Sequence, residues 1–395
     1  YDYDGKYFAS ASYRRDASSV FHPDNRWGDF GSFGAAWLIS SEDFMQDIKW
    51  IDMLKLKASY GIQGNDDLGR DDGPAYGDYS TWYAYQDQYS VAKNGNDFAV
   101  KFAYKGNKDI TWETSYSFNA GADFELFGRR LNGTIEYFSR KTVDLLYNQP
   151  VPISYGYSSI PMNVGDMINK GVELDLNGLI YKNKNITWTA NFNATHYKNE
   201  ILDLAENVRE TGIKGSSYIY QIGGSLYDVY MRKYAGVDSE TGKALYYLDP
   251  SNGDYSTTSD YSKAKQTNLG TTLADVYGGF GTSVTGYGFD FSMQFSYQLG
   301  GQIYDGSYEA MMHNGDNAGQ NWHKDILKAW TPENRNTNVP RLSSTDASYQ
   351  YQSSRFLTSS DYLSLNSIIL GYTLPKELIA KMSISKLRVY FAGDN

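Results

Sequence analysis

The chain has 395 residues, 41% of them hydrophobic and 16% aromatic, with 37 tyrosines, 38 glycines, no cysteine and a net charge of -10. That apolar content excludes a disordered chain; the missing cysteines exclude disulfide scaffolds, thiol catalysis and thiolate metal sites; and the acidic balance argues against a nucleic-acid partner. No apolar run approaches the ~18–20 residues of a membrane-spanning helix, whereas the alternating strands of a membrane barrel leave mean hydropathy low, and here it is -0.56.

A first strand is expected near Lys6 to Arg15, with Tyr7, Ala9, Ala11 and Tyr13 on one face. A polar loop through His22-Pro23-Asp24-Asn25 leads to a second strand from Trp27 to Ile39. In Ser40-Ser41-Glu42-Asp43-Phe44-Met45 a Ser cap ahead of acidic residues predicts one or two turns of helix. The third strand sets Leu54, Leu56, Ala58, Tyr60 and Ile62 against Lys55, Lys57, Ser59 and Gln63. After a long Asp-, Gly- and Tyr-rich loop from 65 to about 110, a hairpin begins at Trp112. Its first arm alternates Trp112, Thr114, Tyr116, Phe118, Ala120, Ala122, Phe124 and Leu126 with Glu113, Ser115, Ser117, Asn119, Gly121, Asp123 and Glu125. The turn Phe127-Gly128-Arg129-Arg130 returns it through Leu131, Gly133, Ile135 and Tyr137. Arms of about fifteen residues exceed ordinary soluble strands and suffice for the ~9–11 residues that a tilted strand needs to cross a bilayer.

Beyond the prolines at 150, 152 and 161, a strand carries Val172, Leu174, Leu176 and Ile180, and the next carries Ile186, Trp188, Ala190, Phe192 and Ala194. Further strands are expected at Leu226 to Val237, Ala244 to Leu248, Val276 to Thr285 with a tight turn at Gly286, and Tyr287 to Gln298. The longest loop, about 305 to 359, precedes a strand ending at Leu374, a short helical connection from Pro375 to Met382 and a last strand from Leu387. The count is about thirteen strands, with short and long connections alternating. Such a rhythm belongs to an up-and-down meander with short turns at one membrane face and long loops at the other; Greek-key crossovers of a soluble sandwich would scramble it. There is no initiator Met and no signal segment, which points to a piece of a longer polypeptide.

Several segments resemble the barrel of the SusC/RagA family of TonB-dependent outer-membrane transporters. They include Asn25-Arg26-Trp27-Gly28, Ala35-Ala36-Trp37, Leu54 to Gly61 ending at Gly64-Asn65, and Thr111-Trp112-Glu113-Thr114. Others are Asn163-Val164-Gly165, Asn169-Lys170-Gly171-Val172-Glu173-Leu174 and Tyr234-Ala235-Gly236-Val237-Asp238. The most distinctive run is Asn321-Trp322-His323-Lys324-Asp325, continuing to Trp330-Thr331-Pro332-Glu333-Asn334 and Pro340-Arg341; Leu370 to Pro375 and Arg388-Val389-Tyr390 resemble the closing region. The resemblance implies an all-β, antiparallel up-and-down transmembrane barrel, part of a plugged barrel of about 22 strands with long extracellular loops and short periplasmic turns. Residues 1–395 are then expected to form a partial barrel domain, with the N-terminal extension, TonB box, plug, early strands and last strand outside it. The implied partners are a SusD-like surface lipoprotein, TonB, outer-membrane lipid and an oligosaccharide or oligopeptide substrate, with a dimer of transporter-lipoprotein pairs as the assembly.

Candidate chemistry is sparse. His22, His196, His313 and His323 have no ligand spacing, and the His323-Asp325 pair has no nucleophile beside it, so neither a zinc site nor an enzyme is expected. Asp66-Asp67 with Asp71-Asp72, or Asp249 to Asp254, can hold loop-bound Ca2+ through carboxylates and carbonyls, and the bland alternative is a solvated acidic loop. The aromatic loop Tyr79, Trp82, Tyr83, Tyr85 and Tyr89 is the ligand-binding candidate, its rings stacking on sugar or peptide with Asp87 and Gln88 as hydrogen-bond partners; the alternative is that the rings pack the loop on its neighbours or a partner protein. Glu113, Asp123, Glu125, Glu173 and Asp175 read as ordinary residues of a wet inner wall. Three functions stay open on the residues alone: TonB-dependent import, a non-transporting barrel serving as adhesin or anchor, and a soluble carbohydrate-active β-protein.

Overall fold

The computed structural model describes residues 1–68, 80–95, 97–157, 159–315, 319–344, 350–380 and 384–395. The chain divides into two units: Tyr1–Arg209 with Gly278–Ser296 and Ser364–Asn395, and Glu210–Tyr277 with Tyr297–Leu363.

The first unit is built on a 12-stranded sheet whose neighbours follow chain order without a crossover. Its strands are Asp2–Tyr3, Tyr7–Ala17, Trp27–Leu38, Ile51–Asn65, Glu113–Leu126, Leu131–Val143, Asp166–Lys182, Ile186–Asp203, Val276–Gly286, Phe289–Leu299, Tyr362–Thr373 and Arg388–Asp394. The pairing carries the alternation from strand to strand. Leu56, Ala122, Ile135, Leu174 and Ala194 lie side by side in one row, and Lys55, Asp123, Thr134, Asp175 and Asn193 form the next row on the opposite face. The polar face is held by its own charges: Lys57 Nζ lies 3.0 Å from Asp123 and 3.1 Å from Glu136. On the apolar face Leu56, Phe118, Ile135, Tyr137 and Val172 are exposed instead of forming a core, as a lipid-facing wall requires. No helix among the described residues is long and apolar enough to cross a membrane, a statement that leaves a strand-built barrel untouched.

The short connections share one end. The turn after Leu126 has positive φ at Phe127, Gly128 and Arg129. Asn183 Oδ1 accepts from the amides of Asn185 and Ile186 at 2.8 and 2.7 Å, closing the next turn as an Asx motif. At the third, Tyr287 and Gly288 both have positive φ, the pattern of a two-residue type I′ hairpin, so the turn sits one residue beyond the expected Gly286. Between Leu38 and Ile51 lie two 3-10 turns, Ile39–Ser41 and Asp43–Met45. Neither has a side-chain cap. The expected Ser cap does not form, and the segment is held to the wall by Glu42, which accepts from Tyr7 Oη at 2.6 Å and Trp37 Nε1 at 3.0 Å and pairs with Lys6.

Two expected wall strands are elsewhere. Leu226 to Val237 becomes Asp228–Arg232 and Tyr234–Val237, and the Ala244 strand becomes Ala244–Asp249, all in the second unit. Asp228–Arg232 pairs with Gln266–Thr271, and Tyr234–Val237 joins Ala244–Asp249 and Asp254–Thr258 in a three-stranded sheet. Their alternation buries Val229, Met231, Ala244 and Tyr246 within a loop domain, a period of two produced by a small core and not by lipid. At four to six residues they are too short to cross a bilayer. The 65–110 loop likewise contains a hairpin of its own, Gln88–Asn94 with Asp97–Tyr104.

Candidate functional site

The long connections of the first unit, 18–26, 66–112 and 144–165, meet around a small apolar core of Val20, Phe21, Leu68, Ala84 and Ile110, against which Trp112 and Leu146 pack. Trp112 is its hinge to the wall. Its ring centroid lies 5.3 Å from Phe21 and 5.2 Å from Phe30, and its Nε1 donates to Arg26 O at 3.0 Å. A Cβ on Gly28 or Gly64 would run into the Phe30 ring, so both glycines make room for this stack.

Polar side chains then tie the loops together. Asn163 Oδ1 accepts from Thr111 N at 2.8 Å while its Nδ2 donates to Thr111 O and Asp144 O at 2.9 and 2.8 Å. Glu113 accepts from Asn65 Nδ2 and from Leu146 N, Asn25 Nδ2 donates to Lys108 O, and Asn107 Nδ2 donates to Pro161 O. The family-like segments around Asn25, Gly64, Trp112 and Asn163 are therefore loop clamps, a role that strand periodicity could not reveal.

On this root stands the aromatic loop. Ser80–Tyr83 is a 3-10 turn, Ala84 is fully buried, and Trp82 and Tyr83 project as exposed rings. Tyr83 and Tyr85 sit with centroids 6.4 Å apart, and Tyr85 is also edge-on to His22 at 5.5 Å. Trp82, Tyr83 and Tyr85 thus come from one turn, whereas Tyr89 lies on the hairpin, paired edge-on with Phe102 at 5.4 Å. Asp87 has a structural partner set: both carboxylate oxygens lie 3.0 Å from Lys105 Nζ, and Oδ1 accepts from Gly106 N at 2.9 Å. The Lys105 ammonium, helped by that amide, holds the Asp87 carboxyl below the usual carboxylate range. Gln88 Nε2 donates to Tyr83 O at 3.4 Å. Tyr79 lies outside the described residues.

Other sequence candidates are drawn into local structure. Asp249 binds Lys265 and Asn252, Asp254 binds Ser256, and Asp66 accepts from Ser18 Oγ. Among the described residues no group of three or more His, Cys, Asp or Glu is placed to hold a metal, and Asp71 and Asp72 lie outside them. In the second unit His323 Nδ1 accepts from Asp325 N at 3.2 Å as a helix cap. Asp325 in turn binds Lys328 at 2.6 Å and Tyr308 Oη at 3.2 Å. The Trp322-His323-Lys324-Asp325 run is a loop staple: Trp322 stacks on the buried His313 and donates to its carbonyl at 2.9 Å.

A family model described as "TonB dependent receptor-like, beta-barrel" matches residues 1–304. The chain belongs to that family. This TonB-dependent receptor barrel is 31% identical to TonB-dependent receptor P39 of Formosa agariphila, across all of this chain and 41% of that protein. It is 31% identical to the TonB-dependent receptor SusC of Bacteroides thetaiotaomicron over 56% of this chain and 21% of that one. Among solved structures, the RagAB peptide transporter superposes with a TM-score of 0.83 at 30% identity, covering all of this chain and 42% of the other. A RagAB peptide importer in an "open-open" state matches equally well, at 31% identity. The chain spans about two fifths of the length of P39 and of the RagAB chain. The family is one of outer-membrane β-barrel receptors, so the soluble-sandwich reading is set aside.

Proposed function

We propose that this chain supplies the wall and outer loops of an outer-membrane importer of oligomeric nutrients, energised through TonB and working with a SusD-like surface lipoprotein. The observation that carries the reading is the likeness of the whole of this chain to part of the RagAB transporter at a TM-score of 0.83, joined by the match to SusC. Oligopeptide is placed ahead of oligosaccharide because the RagAB likeness covers the whole chain and the SusC match 56% of it. Trp82, Tyr83 and Tyr85 are the rings proposed to meet the substrate, since they flank the buried Ala84, with Trp82 and Tyr83 exposed and Tyr85 half-buried beside Tyr83.

The test is uptake by intact cells carrying or lacking the whole protein, using fluorescent oligopeptides and oligosaccharides of similar mass. Accumulation that needs the protein and stops with a protonophore supports import and names the substrate class. Unchanged uptake of both, with lost surface attachment, replaces it with the adhesin or anchor reading.

A further inference from the structure

The wall hairpin of Asp166–Lys182 and Ile186–Asp203 changes character at one level of its outward face. From the short turn upward, the register pairs on that face are Tyr181 with Trp188, Gly178 with Ala190, Leu176 with Phe192, Leu174 with Ala194 and Val172 with His196. The next pair is Lys170 with Lys198. Two lysines directly opposite each other on neighbouring strands repel, a placement that costs stability unless an anion lies between them. A third cation on the same face, Lys141, lies on Leu131–Val143 two residues beyond Ser139, the partner of Lys170 on its other side. Away from the hairpin the same row continues through Phe118, Tyr60 and Phe33, all exposed, so the cations are confined to three strands.

Two carboxylates share this region. Lys170 Nζ lies 3.5 Å from Glu200 and Lys141 Nζ lies 3.0 Å from Asp166. Both acids sit on the loop side of the lysine pair, Glu200 opposite Ile168 and Asp166 two residues further on, so positive charge is nearest the apolar band. Lys198 is exposed and has no carboxylate partner among the described residues. Its depth follows from strand geometry. Trp188 and Lys198 are ten residues apart on one strand, a height of about 25 Å at a rise of about 3.3 Å per residue and a tilt of about 40°. The apolar band of an outer-membrane barrel is also about 25 Å tall. With the exposed Tyr181 and Trp188 rings at the inner interface, Lys170 and Lys198 stand at the headgroup level of the outer leaflet.

We propose that Lys170 and Lys198, flanked by Lys141, bind the phosphorylated sugar headgroup of an outer-leaflet glycolipid, with its acyl chains lying on Val172, Tyr137 and Ile135. A phosphate monoester carries about -1.5 to -2 charges and so answers both ammonium groups at once, turning their repulsion into two charge-assisted contacts. A phospholipid diester carries one. The lysine stems run along the apolar face and deliver the charge to the headgroup plane, while Val172 and Tyr137, opposite each other and exposed, offer the surface beneath. The inference rests on the outer-membrane barrel wall and not on the import reading, so a failure to import would leave it standing.

The experiment places the full-length protein in nanodiscs of zwitterionic phospholipid that carry a trace of bisphosphorylated lipid A, of the same lipid A after phosphatase treatment, or of phosphatidylglycerol. Retained lipid is counted by native mass spectrometry. The unmodified protein is expected to retain bisphosphorylated lipid A ahead of the other two. Lys170→Gln with Lys198→Gln should lower that retention by roughly ten- to thirtyfold, and Lys170→Arg with Lys198→Arg should keep it. Lys182→Gln with Lys184→Gln, at the short-turn end, should leave it unchanged, and heat-modifiable migration of each variant reports an intact wall. Equal retention of the dephosphorylated form, or an equal loss from both glutamine pairs, overturns the site. A preference for phosphatidylglycerol overturns the choice of a glycolipid. The comparison of the three lipids on the unmodified protein decides the proposal even where a glutamine variant does not assemble.

Discussion

The wall and the loop root of the first unit solve opposite problems with the same chain. Along the wall, Leu56, Ile135, Tyr137 and Val172 are exposed on a mainly apolar face and stability comes from ladder pairing over arms such as Glu113–Leu126 and Leu131–Val143. In the root, Val20, Phe21, Ala84 and Ile110 are buried as in a soluble protein, and backbone groups without strand partners are satisfied by Asn163, Glu113 and Asn107. The wall tolerates any apolar residue because lipid has no shape, whereas the root demands particular residues because each fills a particular gap. The family-like motifs around Asn25, Gly64, Trp112 and Asn163 accordingly sit where loops leave the wall.

Trp112→Ala should give the largest effect, about 3–5 kcal/mol, because it empties the space between Phe21 and Phe30 and releases the bond to Arg26. The loss should be local. Limited proteolysis is expected to open the 66–112 and 144–165 connections while heat-modifiable migration of the barrel is kept; if the barrel loses heat resistance in step with the loops, the separation of wall and root is wrong. Ile135→Arg tests the other side. A cation in the middle of a lipid-facing row should cost about 2–4 kcal/mol in urea unfolding from bilayers, with loop proteolysis unchanged. Asn163→Ala comes third at about 1–3 kcal/mol, since Thr111 N, Thr111 O and Asp144 O lose one shared partner; faster amide exchange at Thr111 is the measurement.

Most of the wall was legible in the sequence because lipid on one side and water on the other force a period of two, and the Trp112–Leu126 alternation carried it without help. The same period misplaced Leu226 to Val237, since a small loop core that buries Val229 and Met231 writes the same pattern over a shorter length. The aromatic loop was legible as an aromatic cluster only. That Ala84 anchors it from beneath and that Asp87 is taken by Lys105 depends on contacts across about twenty residues or more, which no local pattern encodes. Gly28 and Gly64 were visible as motif letters, and their reason, the Phe30 ring that a Cβ would strike, exists only in three dimensions.

The smallest effect expected is the pH response of the aromatic loop, and it sharpens the contrast because the wall should not share it. Lys105 depresses the Asp87 carboxyl below its unfolded value, so the pair contributes stability above the ordinary aspartate range. That contribution is lost as pH falls from the ordinary value through the depressed one. The pair is solvent-accessible, so salt should weaken the response. With Trp82 on the turn just before Asp87, fluorescence should report opening on acidification below about pH 4, while strand circular dichroism stays constant. Asp87→Asn should remove the pH dependence and leave the loop as loose at neutral pH as the native one is in acid. An unchanged acid transition in Asp87→Asn would show that the Asp87–Lys105 pair does not drive it.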